Sequence, residues 1–356
     1  VNQMGYQPAD SKTAIVFSNA TMKEKVNLID ATSGKIIETL EAKQTKEKGW
    51  GTFKYFYRVD FSETTKEGRY YLQSEKTNNK SVNFDISEKA YDHQADRLLD
   101  FMQQQRCGYN PFFDIHCHQH DGVAMYGTAV PDSVFVESSG GWHDAGDMLK
   151  YLITSSYATA HMLMAYEMYP NSFGDKVDAF GKPGANGIPD VLDEAKWGLE
   201  WIFKLHPNPK DLIHQVADDR DHIGYKYPDK DRSDYGWGPN SYRVAYFANG
   251  KPQGLNKYKS KATGVANLAG RSSAAMALAS RIWKESLKDD IFANKCLEAA
   301  KTLYELGREK EGYQQGNSYK APYRYNETTW ADDMEWGAAE LFKVTGEKRY
   351  LSEAVN

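Results

Sequence analysis

One change of period divides this chain. Up to Ser87, apolar residues alternate in short runs (TAIVF, KVNLI, FKYFYRVDF, GRYYLQ, SVNFDI), with turn-forming clusters such as SNAT, DATSGK and KTNNKS between them. A period of two puts alternate side chains on one face of a strand, so these runs predict a small antiparallel β-sandwich over residues 1–87. Beyond Ser87 the period becomes helical. Tyr91, Ala95, Leu98, Leu99 and Met102 mark a helix over 88–106, and Leu149, Leu152, Ile153, Tyr157 and Ala160 mark one over 148–168. A third runs from Ile188 to Leu205. Pro189 suits its first turn, Asp190, Asp193 and Glu194 favour its N-terminal dipole, and Pro207 ends it. Further helices are predicted over 264–284, over 290–306 with Gly307 as a C-cap, and over 329–345 with Gly346 as a C-cap. The final YLSEAVN starts another. Helices following one another without strands predict an all-α domain of helical hairpins over 88–356.

The 356 residues suit two domains of about 150 each. A hydrophobic share of 40% excludes a wholly disordered chain. No run approaches the roughly 20 apolar residues of a membrane span. A net charge of -5 argues against a nucleic-acid partner. The 24 Tyr and 8 Trp have two readings, core filler or platforms that stack on sugar rings. The three cysteines exclude a complete disulfide framework, and Cys296, in IFANKCLEAA, reads as a buried small hydrophobe. VNQMGYQP has no apolar signal core, so the compartment is not encoded.

Between Pro207 and Thr263 no helical period is visible, yet the segment is dense in Tyr and Trp. So long a loop is expected to be ordered and to face a ligand. Tyr235, Trp237 and Tyr242 are its sugar-stacking candidates, with Trp142 a fourth further upstream. Trp197 and Trp201, four apart on one helix, read as core. His161 reads as a core or interface residue.

The sharpest local feature is Gly140-Gly141-Trp142-His143-Asp144-Ala145-Gly146-Asp147, a glycine-rich turn before a helix. Two carboxylates three residues apart are able to converge on one water and take its proton. Helix capping and calcium binding are the alternatives. Close by lie Cys107, Cys117, His116, His118, His120 and His143. Two thiolates and two imidazoles build a tetrahedral zinc site with no open position, which is structural. Several His subsets meet that pattern, and a Cys107–Cys117 disulfide is the alternative. Asp218, Asp219 and Asp221 read as a solvated turn or a cation site, and Asp332, Asp333 and Glu335 as acids opening a helix.

GGWHDAGD before a helix, then NGIPDVLDEAKWGLEWIFK, resembles the family-nine glycoside hydrolases, largely cellulases and related β-glucanases. VNQMGY with a strand-rich domain is similar to their N-terminal immunoglobulin-like module, and RCGYN, CH and the His of WHDAGD resemble the zinc site of members that carry it. The segments HQVADDRDHIGYKYPDKDRSDYGWGPNSYR and TTWADDMEWGAAELFKVTG extend the likeness along the chain. The resemblance implies an (α/α)6 barrel and inverting hydrolysis of β-1,4-glucosidic bonds, with Asp147 as general base and Asp144 helping to hold the water. It implies structural zinc on Cys107, Cys117, His118 and His143, leaving His116 and His120 as loop residues. It also implies a β-glucan partner and an extracellular or periplasmic location. The family's general acid, a Glu in a stretch beginning Asn-Glu near the barrel's end, and its His-Arg substrate stretch are not matched, because Asn326-Glu327 comes too early. The chain is therefore expected to hold the N-terminal part of the barrel. The remaining part is its partner and carries the acid. Exo-acting, xyloglucan-specific and non-catalytic carbohydrate-binding proteins are the rival expectations.

Overall fold

The structure is a computed structural model that describes residues 1–23, 25–46, 51–92, 94–222, 224–254, 259–317 and 325–355. It divides into two compact units, Val1–Gln94 and Ala95–Asn356. Residues 223 and 255–258 of the aromatic segment lie outside the described residues.

The first unit carries β1 (Thr13–Ser18), β2 (Val26–Asp30), β3 (Ile36–Leu40), β4 (Ala42–Gln44), β5 (Tyr55–Asp60), β6 (Gly68–Ser74) and β7 (Phe84–Ile86). They form two antiparallel sheets, ordered β1-β5-β4 and β3-β2-β6-β7. Ala14 and Val59 of one sheet share a core with Val26, Leu28, Leu72 and Phe84 of the other. Tyr6 closes it, with its ring edge-on to Phe61 at 5.3 Å and to Phe84 at 5.5 Å. This is the sandwich that the alternating runs predict.

The second unit opens with α1 (Gln94–Gln104), the hairpin β8 (Gly108–Asn110) and β9 (Ile115–Cys117), then β10 (Asp121–Met125) and β11 (Lys150–Tyr151). There follow α2 (Leu152–Met168), α3 (Asp190–Leu205), β12 (Ile213–Val216), β13 (Arg243–Phe247), α4 (Ala266–Ile282), α5 (Asp290–Glu309), α6 (Ala331–Thr345) and α7 (Lys348–Val355). The helices pack as hairpins, α2 with α3, α4 with α5 and α6 with α7, and α4 also lies against both α2 and α6. Small residues make that close packing possible. Fifteen of the seventeen α4 residues are buried. A Cβ on Gly270 would stand 2.6 Å from the Asp333 carbonyl, and one on Gly337 would stand 2.9 Å from the Gly270 carbonyl. The backbones of α4 and α6 therefore touch.

Two expectations are corrected here. The unit is not all helix, because β10, β13, β12 and β11 form a four-stranded sheet in that order. Every residue of β12 and β13 is buried, so no alternation marks these strands in the sequence. Gly307 is not a C-cap either. Helix α5 runs on to Glu309, and Gly307 lies inside it with the Met334 side chain packed against it. Gly346 does cap α6, in the left-handed conformation at φ 71°.

Candidate active site and metal centre

The turn between Ser138 and Leu149 is shaped by two tryptophans of α3. Trp197 Nε1 donates to the Gly141 carbonyl at 2.9 Å, and Trp201 Nε1 donates to the Ser138 carbonyl at 3.0 Å. Gly141 sits at φ 69° with the Trp201 ring 2.4 Å from where a Cβ would be, so only glycine fits. The buried Lys150 ammonium ties the turn from the other side, donating to the Gly140 carbonyl at 2.8 Å and pairing with Asp121 at 2.8 Å. Residues 141–143 run beside 105–107: the Cys107 N–H donates to the Gly141 carbonyl at 2.9 Å, and the His143 N–H donates to the Gln105 carbonyl at 2.8 Å. A wholly buried ion pair, Arg106 with Glu194 at 2.7 Å, lies behind this pairing, and Glu194 also accepts from Trp142 Nε1 at 2.7 Å.

The two carboxylates of the turn have different holders. Asp144 accepts from Tyr325 Oη at 2.5 Å and from Thr154 Oγ1 at 3.2 Å. Burial pushes its carboxyl above the usual range; the two hydroxyls oppose the shift and the charge of Asp147 adds to it. Asp147 meets His222 Nε2 at 2.5 Å, and the other nitrogen of that ring meets Asp219 at 2.6 Å. Hydrogen bonds to Asp147 and Asp219 overcome partial burial and raise His222 to about 9.

Cys107, Cys117, His118 and His143 form a second constellation, all four buried, with their ligating atoms within 4.8 Å of one another. The β8–β9 hairpin pairs Gly108 with Cys117, which sets the two thiols at its base. Cys107 Sγ lies 3.7 Å from His118 Nδ1, Cys117 Sγ lies 3.8 Å from His143 Nε2, and the two ring nitrogens are 3.3 Å apart. Tetrahedral zinc, at ~2.3 Å from sulfur and ~2.0–2.1 Å from nitrogen, needs donors separated by about 3.3–3.8 Å. The donor set thus fits a closed four-ligand metal in kind and in spacing. Cys107 and Cys117 are free thiols, so they form no disulfide with each other. Among the described residues no other group of three or more such side chains converges in this way.

The acids of the long segment are neither solvated nor arranged around a cation. Asp218 pairs with Arg220 at 2.6 Å and accepts from Tyr246 Oη at 2.6 Å, while Asp221 accepts from Tyr235 Oη at 2.7 Å. Asp333 likewise pairs with Arg271 at 2.7 Å. Two expected sugar platforms are corrected by burial. Trp142 is only 4% exposed and Tyr235 only 6%, the latter beneath the Arg220 guanidinium at 3.9 Å from its ring centre. Trp237 and Tyr242 are exposed and pack edge to face. The cavity beside Asp144, about 630 Å³, is walled instead by Phe101, Phe113, Tyr225 and Tyr227. The Tyr225 ring, itself 94% exposed, lies over Gly146, 2.0 Å from where a Cβ would be. Sequence reading missed His222, Tyr225 and Tyr325. The signal for His222 was the spacing of Asp219 and His222, three apart in DDRDH.

Residues 91–356 match the family model described as glycosyl hydrolase family 9, and residues 1–79 match the one described as cellulase N-terminal ig-like domain. Endoglucanase D of Acetivibrio thermocellus is 28% identical over 100% of this chain, which covers 53% of it. A xyloglucan-specific endo-beta-1,4-glucanase of Bacteroides ovatus is 26% identical over 100% of the chain, which covers 59% of it. A metagenome-derived family 9 endoglucanase of known structure is 27% identical with a TM-score of 0.77, and the match covers 100% of this chain and 62% of that one. The chain thus spans little more than half the length of these two curated relatives.

Proposed function

Because the chain belongs to glycosyl hydrolase family 9, we propose that it forms the base-bearing part of an inverting, endo-acting hydrolase of β-1,4-glucans such as cellulose. The observation that carries this reading is the turn that sets Asp144 in an aromatic-walled cavity, with Asp147 three residues further along the same turn. In an inverting displacement one carboxylate removes a proton from water as that water attacks the anomeric carbon, while an acid across the cleft protonates the leaving oxygen. Asp147 takes the base role, and Asp144, held by Tyr325 and Thr154, orients the same water. The acid is assigned to the length that the relatives have and this chain does not cover. The three helical hairpins are half of an (α/α)6 barrel, which that length completes. Tyr225 and Tyr227 supply the stacking surfaces, with the exposed Trp237 and Tyr242 as further candidates.

Cys107, Cys117, His118 and His143 hold a structural zinc, which supplies a cross-link between the hairpin and the carboxylate turn and leaves no position for substrate. No helix among the described residues is long and apolar enough to cross a membrane. A polymeric substrate places the protein outside the cell or in the periplasm. The relative named as xyloglucan-specific makes a branched β-glucan the second substrate reading.

The test is Asp147→Asn in the complete enzyme, assayed on soluble cellulose derivatives. The reading expects near-total loss of hydrolysis with unchanged circular dichroism. Retention of more than a few per cent of activity would remove Asp147 from the base role. Random shortening of the polymer by wild type separates endo from exo action.

A further inference from the structure

The segment 218–235 bears His222 at one end and returns to the metal cluster at the other. We propose that Asp231 is a positioning residue that locks this segment onto the metal centre, so that metal occupancy sets where His222 stands against Asp147. The proposal rests on reading the two Cys and two His as a metal site and Asp147 as the base.

The geometry at His118 carries it. This imidazole turns Nδ1 toward the cluster, 3.3 Å from His143 Nε2, and sets Nε2 at 2.9 Å from Asp231 Oδ2. Both side chains are almost fully enclosed, at 3% and 2% exposure. A neutral imidazole carries one proton. A lone pair offered to a metal at Nδ1 leaves that proton on Nε2, which is the atom the carboxylate accepts from. Asp231 is itself held by its other oxygen, which accepts from the Ser233 N–H at 2.9 Å, from Ser233 Oγ at 2.6 Å and from the Lys226 ammonium at 2.8 Å. It cannot follow a rotating His118 without losing those bonds.

From this anchor the connection runs back along the segment. The Ser233 hydroxyl also lies against Asp221, the neighbour of His222, and shares its one proton between the two carboxylates. Asp221 faces the Arg243 guanidinium at 3.4 Å, and Arg243 donates to the Met148 carbonyl at 2.9 Å, next to Asp147. The segment is thus fastened at Asp231 to a metal ligand and at Asp221 to the carboxylate turn. With the metal removed, the His118 ring loses its hold at Nδ1 and keeps only Asp231 to orient it, so the first fastening slackens.

The test uses the full chain and three readouts. Zinc affinity is measured by competition with a chromophoric chelator, the ligand field by the visible spectrum of the cobalt(II)-loaded protein, and the segment by hydrogen exchange of peptides covering 218–235. The lock expects Asp231→Asn to bind zinc about 10–100-fold more weakly and to shift the cobalt bands. It expects chelator-stripped wild type to exchange several-fold faster across 218–235 while α4 stays protected. Unchanged zinc affinity and cobalt bands in Asp231→Asn would overturn it. So would unchanged protection in stripped wild type, which decides the matter if the variant does not fold. A wild-type chain that takes up no zinc would overturn the metal reading itself, whereas tight zinc with an indifferent segment overturns only the lock.

Discussion

The Nε2 of His222 lies 2.5 Å from a carboxylate oxygen of Asp147, and Nδ1 of the same ring lies 2.6 Å from Asp219. One imidazole therefore sits between two acids, with Asp144 also close enough to feel its charge. Raised from 6.5 to about 9, His222 adds stability that is fully present below about pH 6.5. That contribution is lost as pH climbs through 9. NMR of the imidazole should show His222 titrating near 9, and unfolding free energy should decline between those limits. A titration at or below the ordinary histidine value contradicts the clamp. His222→Gln should remove the alkaline decline.

Metal analysis gives a second prediction. The closed donor set expects one zinc per chain, retained through dialysis and removed by strong chelators. Removal should lower the melting temperature of the helical unit. Restoring zinc should restore it. Loss of chemistry with no loss of stability would argue for a catalytic metal instead.

The contact between α4 and α6 yields a third. Gly270→Ala adds a methyl 2.6 Å from the Asp333 carbonyl and must push the two backbones apart. Overpacking of this kind costs about 1–3 kcal/mol. Chemical denaturation measures it, and a variant as stable as wild type would mean that the helices yield freely.

Breaking the buried pair beneath the turn should cost more. Glu194→Ala leaves the enclosed Arg106 guanidinium and Trp142 Nε1 without their acceptor. Removing one partner of such a pair typically destabilises by about 3–5 kcal/mol. The same denaturation series tests this, and a cost below about 1 kcal/mol would show that water replaces the acid.

What the sequence made legible was whatever lay close together along it. WHDAGD holds both acids and a metal ligand in six consecutive residues, and the alternating runs before Ser87 declare a sandwich. The four metal ligands came from the family resemblance, since spacing alone left several His subsets open. What stayed hidden depends on distant returns. His222 gains meaning only because the chain comes back to Asp147 after a helical hairpin, and Asp231 only because it comes back to His118. Trp142 and Tyr235 were misread because a tryptophan or tyrosine in a loop looks the same in sequence whether its face meets water or protein. The sheet of β10 to β13 escaped because strands of two to five residues, buried on both sides, have no visible period.

The four clustered Cys and His side chains all fall between Cys107 and His143, ahead of every helix of the three hairpins. A chain emerging from a ribosome or a translocation pore therefore completes its donor set before α2 exists. Residues 222 and 231, which contact the acidic turn and the cluster, follow α3 in the chain. The order of synthesis thus presents the β8–β9 hairpin first, the α2–α3 pair next, and the His222 partner of Asp147 last.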